Sequence, residues 1–364
     1  MQSQRDMTVS EMIPAACRYQ RDGLTNSPLY FRLLTVTIDD IESGGVCAEV
    51  FEKTPSGVDP VLDALPLRFL GGVHRLVLDG DAPELAAFYP SAGGHFDADD
   101  GDRDPGPAFL AAVSDHRDRV IDALAQTVQT NEVGRCASLL PGFLHVAATA
   151  RLPLRVLELG TSAGLNLRWD HYRYEGGEDG TAWGDAGAPL RFTDVYEAPL
   201  PRLDVEATVA ERRGCDRNPI DATSADGAQR LRSFVWPDQL DRFAALDAAL
   251  ELAPAVPVEV DHTDAATWVT EQLDRVTPGM ATVLFQSIVW QYLTRETRAV
   301  VRDGVRAAGE RATADAPVAW LRMEPGADPS QGAEVRLSLW PGDERVVAIS
   351  GYHGRPVRLA VSAD

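Results

Sequence analysis

Gly160, Ser162, Gly164 and the acidic residues around them are where this chain's residue types and spacing could do chemistry. The run Leu154-Arg155-Val156-Leu157-Glu158-Leu159-Gly160-Thr161-Ser162-Ala163-Gly164-Leu165-Asn166-Leu167 is an apolar stretch broken by an acidic residue. It then passes through two glycines four apart into a helical pattern. A parallel strand that turns into a helix N-terminus in this way builds ligand sites, because the turn lets backbone approach the ligand and the helix start offers N–H donors. The same residues spell Gly160-x-Ser162-x-Gly164, the turn that presents a serine nucleophile in α/β hydrolases. One loop therefore supports two chemistries: cofactor binding, and acyl transfer by Ser162 with Asp315 and His353 completing a Ser…Asp…His order.

The elements around the loop weigh between them. A serine hydrolase needs several strands ahead of its nucleophile and an oxyanion loop upstream. Residues before 151 instead carry apolar side chains at helical spacing in blocks at 29–41, 66–78, 83–89, 108–124 and 131–148, and Gly71-Gly72-Val73-His74 has the wrong order for an oxyanion loop. After 151 short β-rich runs alternate with helices, with strands expected at 154–159, 206–210, 256–260, 282–285 and 318–322. Two further runs, 334–339 and 345–350, flank Trp340-Pro341-Gly342-Asp343-Glu344 and predict an antiparallel hairpin at the sheet edge. The expected architecture is a mostly helical N-terminal domain over 1–150 and a Rossmann-like α/β domain over 151–364. An insertion at about 171–204 carries the glycine-rich, acidic segment 175–189. Between two helical stretches, Trp236-Pro237-Asp238 is a break in which Asp238 can start the second helix.

A dinucleotide loop, Gly-x-Gly-x-x-Gly, would require glycine where Ser162 and Leu165 stand. A ligand without a pyrophosphate does not need that third close approach, which points to S-adenosylmethionine. Glu158-Leu159-Gly160-Thr161-Ser162-Ala163-Gly164-Leu165-Asn166 resembles motif I of class I methyltransferases. The resemblance implies a seven-stranded, mostly parallel sheet with a terminal antiparallel hairpin. It also implies a cofactor held by Glu158, Gly160, Thr161, Ser162, Gly164 and Asn166, with Asp216 at the ribose hydroxyls and Asp264-Ala265 at the adenine edge. Asp216 stands well beyond the usual spacing of about 20 residues, so the insertion must be looped out. The whole chain, including Gln129-Thr130-Asn131-Glu132-Val133-Gly134-Arg135 and Val235-Trp236-Pro237-Asp238-Gln239, further resembles a large uncharacterised prokaryotic family with such a core.

Ligands of parallel sheets bind at the carboxyl ends of the strands, which makes Gln286, Ser287 and Glu324 substrate-side candidates. Asn131 and Glu132 open an apolar helix; Asn131 can cap it and Glu132 suits its positive end, or Glu132 can close the active site. His353, in Gly351-Tyr352-His353-Gly354, is open to function, whereas His74 and His145 fall in apolar helical stretches.

The 364 residues carry 55 acidic and 34 basic side chains, a net charge of −21, and Lys53 is the only lysine. Such a surface is a poor partner for nucleic acid or an anionic membrane, since affinity for phosphates comes from cationic groups. A small-molecule substrate that accepts the methyl group is expected, the alternative being a non-catalytic ligand-binding or scaffold protein with a methyltransferase-like fold. Self-repulsion of this charge is relieved by screening, so the melting temperature is expected to rise from dilute buffer to molar salt; a value that does not move contradicts this.

Cys17, Cys47, Cys136 and Cys215 lie far apart, and neither they nor the seven histidines have metal-ligand spacing. Asp97, Asp99, Asp100, Asp102 and Asp104 invite a calcium reading, but the glycine is misplaced for an EF-hand loop and no glutamate closes it. The first residues, Met1 to Cys17, have no apolar signal-peptide core, and no run of about 18 apolar residues occurs. The expectation is a soluble cytoplasmic protein.

Overall fold

A computed structural model describes residues 9–360 apart from 25, 102, 177–179, 198–202 and 276. Asp102 and parts of the 171–204 insertion therefore lie outside the described residues. The chain divides into two compact units, one formed by 1–130 with 225–244 and the other by 131–224 with 245–364. Residues 131–150, expected with the N-terminal helices, thus belong to the sheet unit.

The first unit holds helices α1 (Val9–Asp22), α2 (Pro28–Glu42), α3 (Val46–Phe51), α4 (Leu65–Leu78), α5 (Pro83–Ala86), α6 (Gly106–Asp115) and α7 (Arg117–Leu124). In chain order α8 (Arg135–Ala150) follows in the second unit, α9 (Ala225–Ser233) returns to the first, and α10 (Leu240–Leu252) runs through the division. Leu33, Phe51, Phe69, Leu70, Val73, Phe109 and Val120 form the first unit's core. Each such side chain contributes about 1.5–3 kcal/mol on burial. His74 is in this core, bonded to the Ser233 carbonyl and Ser91 Oγ, and burial pushes its imidazole down to about 4. Asp238 does not start α10. It accepts from Ser27 Oγ at 2.7 Å and Leu29 N at 3.3 Å, satisfying donors at the start of α2, where Ser27 makes no side-chain cap.

The second unit is built on strands β1 (Leu154–Leu159), β2 (Arg173–Glu175), β3 (Ala182–Trp183), β4 (Arg191–Phe192), β5 (Tyr196–Glu197), β6 (Val209–Asp216), β7 (Glu259–His262), β8 (Ala281–Ser287), β9 (Val318–Pro325), β10 (Ala333–Trp340), β11 (Glu344–Ser350) and β12 (Val357–Leu359). Nine of them form one sheet in the order β5-β12-β11-β10-β9-β8-β1-β6-β7, and β3-β2-β4 form a small second sheet within the insertion. The strands β7-β6-β1-β8-β9 are mutually parallel. Counting only these in chain order gives 3-2-1-4-5, the order of a doubly wound sheet whose ligands lie outside the carboxyl ends of the strands. β1 is central and all six of its residues are buried, which is why it reads as a nearly continuous apolar run.

The sheet corrects two expectations. Among the described residues it has nine strands instead of seven, and the expected hairpin β10–β11 is not its edge: β12 and β5 continue beyond β11. The strand expected at 206–210 runs from 209 to 216 because its charged residues are paired. Glu211 meets Arg155 at 2.9 Å, Arg212 meets Asp170 at 2.7 Å and Arg213 meets Asp261 at 2.6 Å.

One face of the sheet packs under α11 (Ala265–Asp274) and α12 (Arg295–Glu310), where Leu157, Leu159, Trp268, Val269, Val301, Val305 and Trp320 cluster. Helix α8 packs on β8 to β11, and its Phe143 stacks on Trp169 with ring centroids 4.3 Å apart. Among the described residues no helix is long and apolar enough to cross a membrane.

Candidate functional site

The turn after β1 is held by backbone that only certain residues tolerate. Gly160 has φ +66° and Gly164 φ +70°, and a Cβ would stand 2.4 Å from Val289 Cγ2 at the first and 2.7 Å from Val258 Cγ2 at the second. Ser162 takes φ +56° without that freedom, an uncommon and strained conformation for a side-chain-bearing residue.

Every N–H from Gly160 to Leu165 has a partner inside the chain. Gly160 and Thr161 donate to the Cys215 carbonyl, Ser162 to Asp216 Oδ2 at 2.9 Å, and Gly164 to the Thr161 carbonyl. Ala163 and Leu165 both donate to Asn131 Oδ1, at 3.1 and 3.0 Å. Asn131 is thus not the cap of α8, which starts four residues later. It sits at φ +35° with its amide oxygen in the turn. Nor does an α-helix follow the turn: residues Asn166–His171 form a 3-10 helix. The carbonyls that an α-helix would use are taken by side chains, Gly164 O by Arg168 Nη1 at 2.8 Å and Leu165 O by Tyr172 Oη at 2.6 Å.

This bonding bears directly on Ser162. The N–H after a serine nucleophile must point into an oxyanion hole, yet that of Ala163 is bonded to Asn131. Asp315 precedes β9 at the amino edge of the sheet and Ser162 follows β1 at the carboxyl edge, so Ser162, Asp315 and His353 are not brought together.

Carboxylates surround the turn. Glu158 is buried and accepts from Thr161 Oγ1. Burial pushes its carboxyl up to about 8, aided by the charge of Asp216 and opposed by hydrogen bonds from Thr161 and Asn166 and by Arg135. Asp216 ends β6 and accepts from Asn218 N at 2.8 Å as well as from Ser162. Asp264 follows β7 at the same edge, where it caps α11 by accepting from Ala266 N and Thr267 N, and these bonds hold its carboxyl below the usual range. Ala265 beside it belongs to the apolar cluster under α11 and α12.

Glu158 makes stability depend on pH. Its ordinary value is 4.5, so between that and about 8 the folded chain binds more protons than the unfolded one. Its contribution is present at low pH and lost as pH rises through this window, at up to about 1.4 kcal/mol per unit. Glu158→Gln is expected to flatten the fall in unfolding free energy between pH 5 and 8. Equal slopes for the two proteins by denaturant titration would reject the assignment.

At the carboxyl ends of the neighbouring strands, Gln286 of β8 donates to Glu324 Oε1 of β9 at 2.9 Å and accepts from Trp320 Nε1 at 3.2 Å. Glu324 Oε1 also accepts from Val289 N and Trp290 N, its Oε2 is buried with no partner among the described residues, and burial raises its carboxyl. An open cleft of about 180 Å³ is lined by these residues with Trp290, Arg322 and Arg336. Ser287 contributes its carbonyl, which accepts from Arg135 Nη1 at 3.2 Å. Glu132 is buried, with Oε2 3.2 Å from His353 Nδ1.

Arg135 is a site residue that sequence reasoning did not select. Its Nε donates to the Tyr352 carbonyl at 3.0 Å, and its charge acts on both Glu158 and Glu324. Its only signal was position, one turn beyond Asn131 in a polar stretch. Among the described residues no three His, Cys, Asp or Glu side chains are grouped to hold a metal ion.

The model of a family described as "Uncharacterized protein conserved in bacteria (DUF2332)" matches residues 18–358. No curated protein and no solved structure matches the chain.

Proposed function

The chain belongs to the DUF2332 family of proteins conserved in bacteria, and we propose that it binds S-adenosylmethionine and transfers the methyl group to a small molecule. The observation that carries this reading is the turn from Gly160 to Leu165, whose N–H groups are all engaged internally while Glu158 and Asp216 stand against it. A phosphate ligand needs open N–H donors. A ligand with a sulfonium and an ammonium group needs acceptors and negative charge; the Asp216 carboxylate can supply both, and Glu158, whose carboxyl burial pushes up to about 8, adds an acceptor and not a charge near neutral pH.

The residues fit such a cofactor. Asp216, at the end of the strand next to β1, carries two carboxylate oxygens, the acceptor pair that suits a vicinal diol. The parallel order of five strands and the position of the turn after the central one agree with the class I methyltransferase resemblance. When bound, the cofactor supplies an activated methyl group. The protein then has to orient donor and acceptor in line and exclude water, and it needs a base only where the acceptor loses a proton. We assign these tasks to Gln286, Ser287 and Glu324 at the ends of β8 and β9, with Glu132 and His353. A small acceptor suits the net charge of −21 better than nucleic acid does.

A ligand that binds only the folded state raises the melting temperature by mass action. S-adenosylmethionine and S-adenosylhomocysteine are expected to do so and NAD is not; stabilisation by NAD alone would reject the reading. A fluorophosphonate is expected to leave the protein unlabelled, because Ala163 N is not free to form an oxyanion hole. Labelling that disappears in Ser162→Ala would restore the hydrolase.

A further inference from the structure

The cleft at the ends of β8 and β9 carries a charge pattern that the cofactor reading does not use. Three paired strands line it: Gln286 of β8 lies in register with Arg322 of β9, and Arg322 and Glu324 lie in register with Arg336 and Glu334 of β10. Trp290, from the turn after β8, and Arg302, from α12, line it as well. The strand arginines are matched. Arg322 Nη2 pairs with Glu344 at 2.6 Å and Arg336 Nη2 with Glu334 at 2.6 Å. Glu324 has three donors on Oε1 and the charge of Arg135 acting on it. Arg302 differs from all of these: it is exposed, its guanidinium lies 5.7 Å from the centroid of the Trp290 ring, and among the described residues no carboxylate pairs with it.

We propose that this cleft binds a one-ring aromatic carboxylate, with its carboxylate on Arg302 and its ring against Trp290. Arg302 is exposed and Trp290 only partly buried, whereas the Trp320 ring is 6% exposed and covered by the Arg322 guanidinium, 4.1 Å from its centroid. A guanidinium takes a carboxylate through two parallel hydrogen bonds, and a flat ring packs offset or edge-on against an aromatic wall. One small molecule covers the 5.7 Å between the two groups when its carboxylate is bonded directly to its ring. Volume sets the size: a cavity of roughly 150 Å³ holds benzene, and this cleft offers about 180 Å³. On a chain of net charge −21, a cation left without a carboxylate at a cleft selects an anion.

The cleft adjoins the turn through consecutive residues. Trp290 lines the cleft, and Val289 before it stands so close to Gly160 that a Cβ there would be 2.4 Å from Val289 Cγ2. Resting on the function proposed above, the aromatic acid is the small molecule presented to the cofactor.

The test is calorimetric titration of the full chain with benzoate, benzamide and cyclohexanecarboxylate, alongside S-adenosylmethionine on the same samples. Benzamide keeps the ring without the charge, and cyclohexanecarboxylate keeps the charge without the flat ring. Wild-type protein is expected to bind benzoate at least tenfold more tightly than either. Arg302→Gln, a change at an exposed position that leaves the core intact, should bring benzoate down to the level of benzamide, and Trp290→Leu should bring it down to that of cyclohexanecarboxylate. Folded wild-type protein that takes up no benzoate, equal affinity for benzoate and benzamide, or unchanged benzoate affinity in Arg302→Gln overturns the cleft assignment, whether or not S-adenosylmethionine binds. Benzoate binding with the expected preferences but no S-adenosylmethionine binding would keep the cleft and overturn the methyl-transfer reading instead.

Discussion

Replacing Asn131 by leucine is expected to lower the unfolding free energy by roughly 2–6 kcal/mol and to abolish cofactor binding. The amide oxygen of Asn131 is the acceptor for both Ala163 N and Leu165 N, and both bonds are buried. Leucine has a similar volume but no acceptor, and each buried donor left unmet costs about 1–3 kcal/mol. The φ of +35° adds to the penalty, since asparagine tolerates the left-handed region better than leucine. Denaturant titration reads the stability, and calorimetry reads the binding. Asn131→Asp keeps the acceptor and should fold close to wild type. A leucine variant as stable as wild type would mean that the turn holds its shape without residue 131.

Asp216→Asn is expected to weaken S-adenosylmethionine and S-adenosylhomocysteine alike, by about 10- to 150-fold, the equivalent of 1.5–3 kcal/mol for a hydrogen bond to a charged group. The two ligands share the ribose and differ at sulfur, so a residue that reads the ribose cannot distinguish them. Asparagine retains one carbonyl oxygen for the backbone of the turn, which limits the loss of stability to about 1 kcal/mol. Loss of one ligand's affinity but not the other's would place Asp216 near sulfur. Unchanged affinity for both would remove it from the site.

What could be read in the sequence follows from where each signal is local. β1 was legible to the residue because a central parallel strand is buried on both faces and writes an apolar run, and the turn was legible because Gly160 and Gly164 are needed for backbone reasons. β6 was misplaced because Glu211, Arg212 and Arg213 look like loop residues until their partners, Arg155, Asp170 and Asp261, are known from other elements. β5 and β12 have two and three residues, too few for any period to show.

The candidate site divides in the same way. Glu158 and Asp216 are expected from the methyltransferase resemblance, and Gln286 and Glu324 from the carboxyl ends of their strands, where the structure has them. Asn131 was read as a helix cap because that is its commonest local use, whereas its contact lies more than thirty residues away. The 3-10 helix after the turn was hidden for a related reason. Residues 166–171 have a helical pattern, but Arg168 and Tyr172 take the carbonyls that would have extended it.

We propose that the turn between β1 and the 3-10 helix holds a sulfonium cofactor. Calorimetric titration of the purified chain in high salt with S-adenosylmethionine and S-adenosylhomocysteine tests it most directly, beside Gly160→Leu, whose side chain would run into Val289 and whose fold is checked by circular dichroism. Saturable micromolar binding of both ligands, lost in a folded Gly160→Leu protein, is expected. Folded wild-type protein that takes up neither ligand would contradict it.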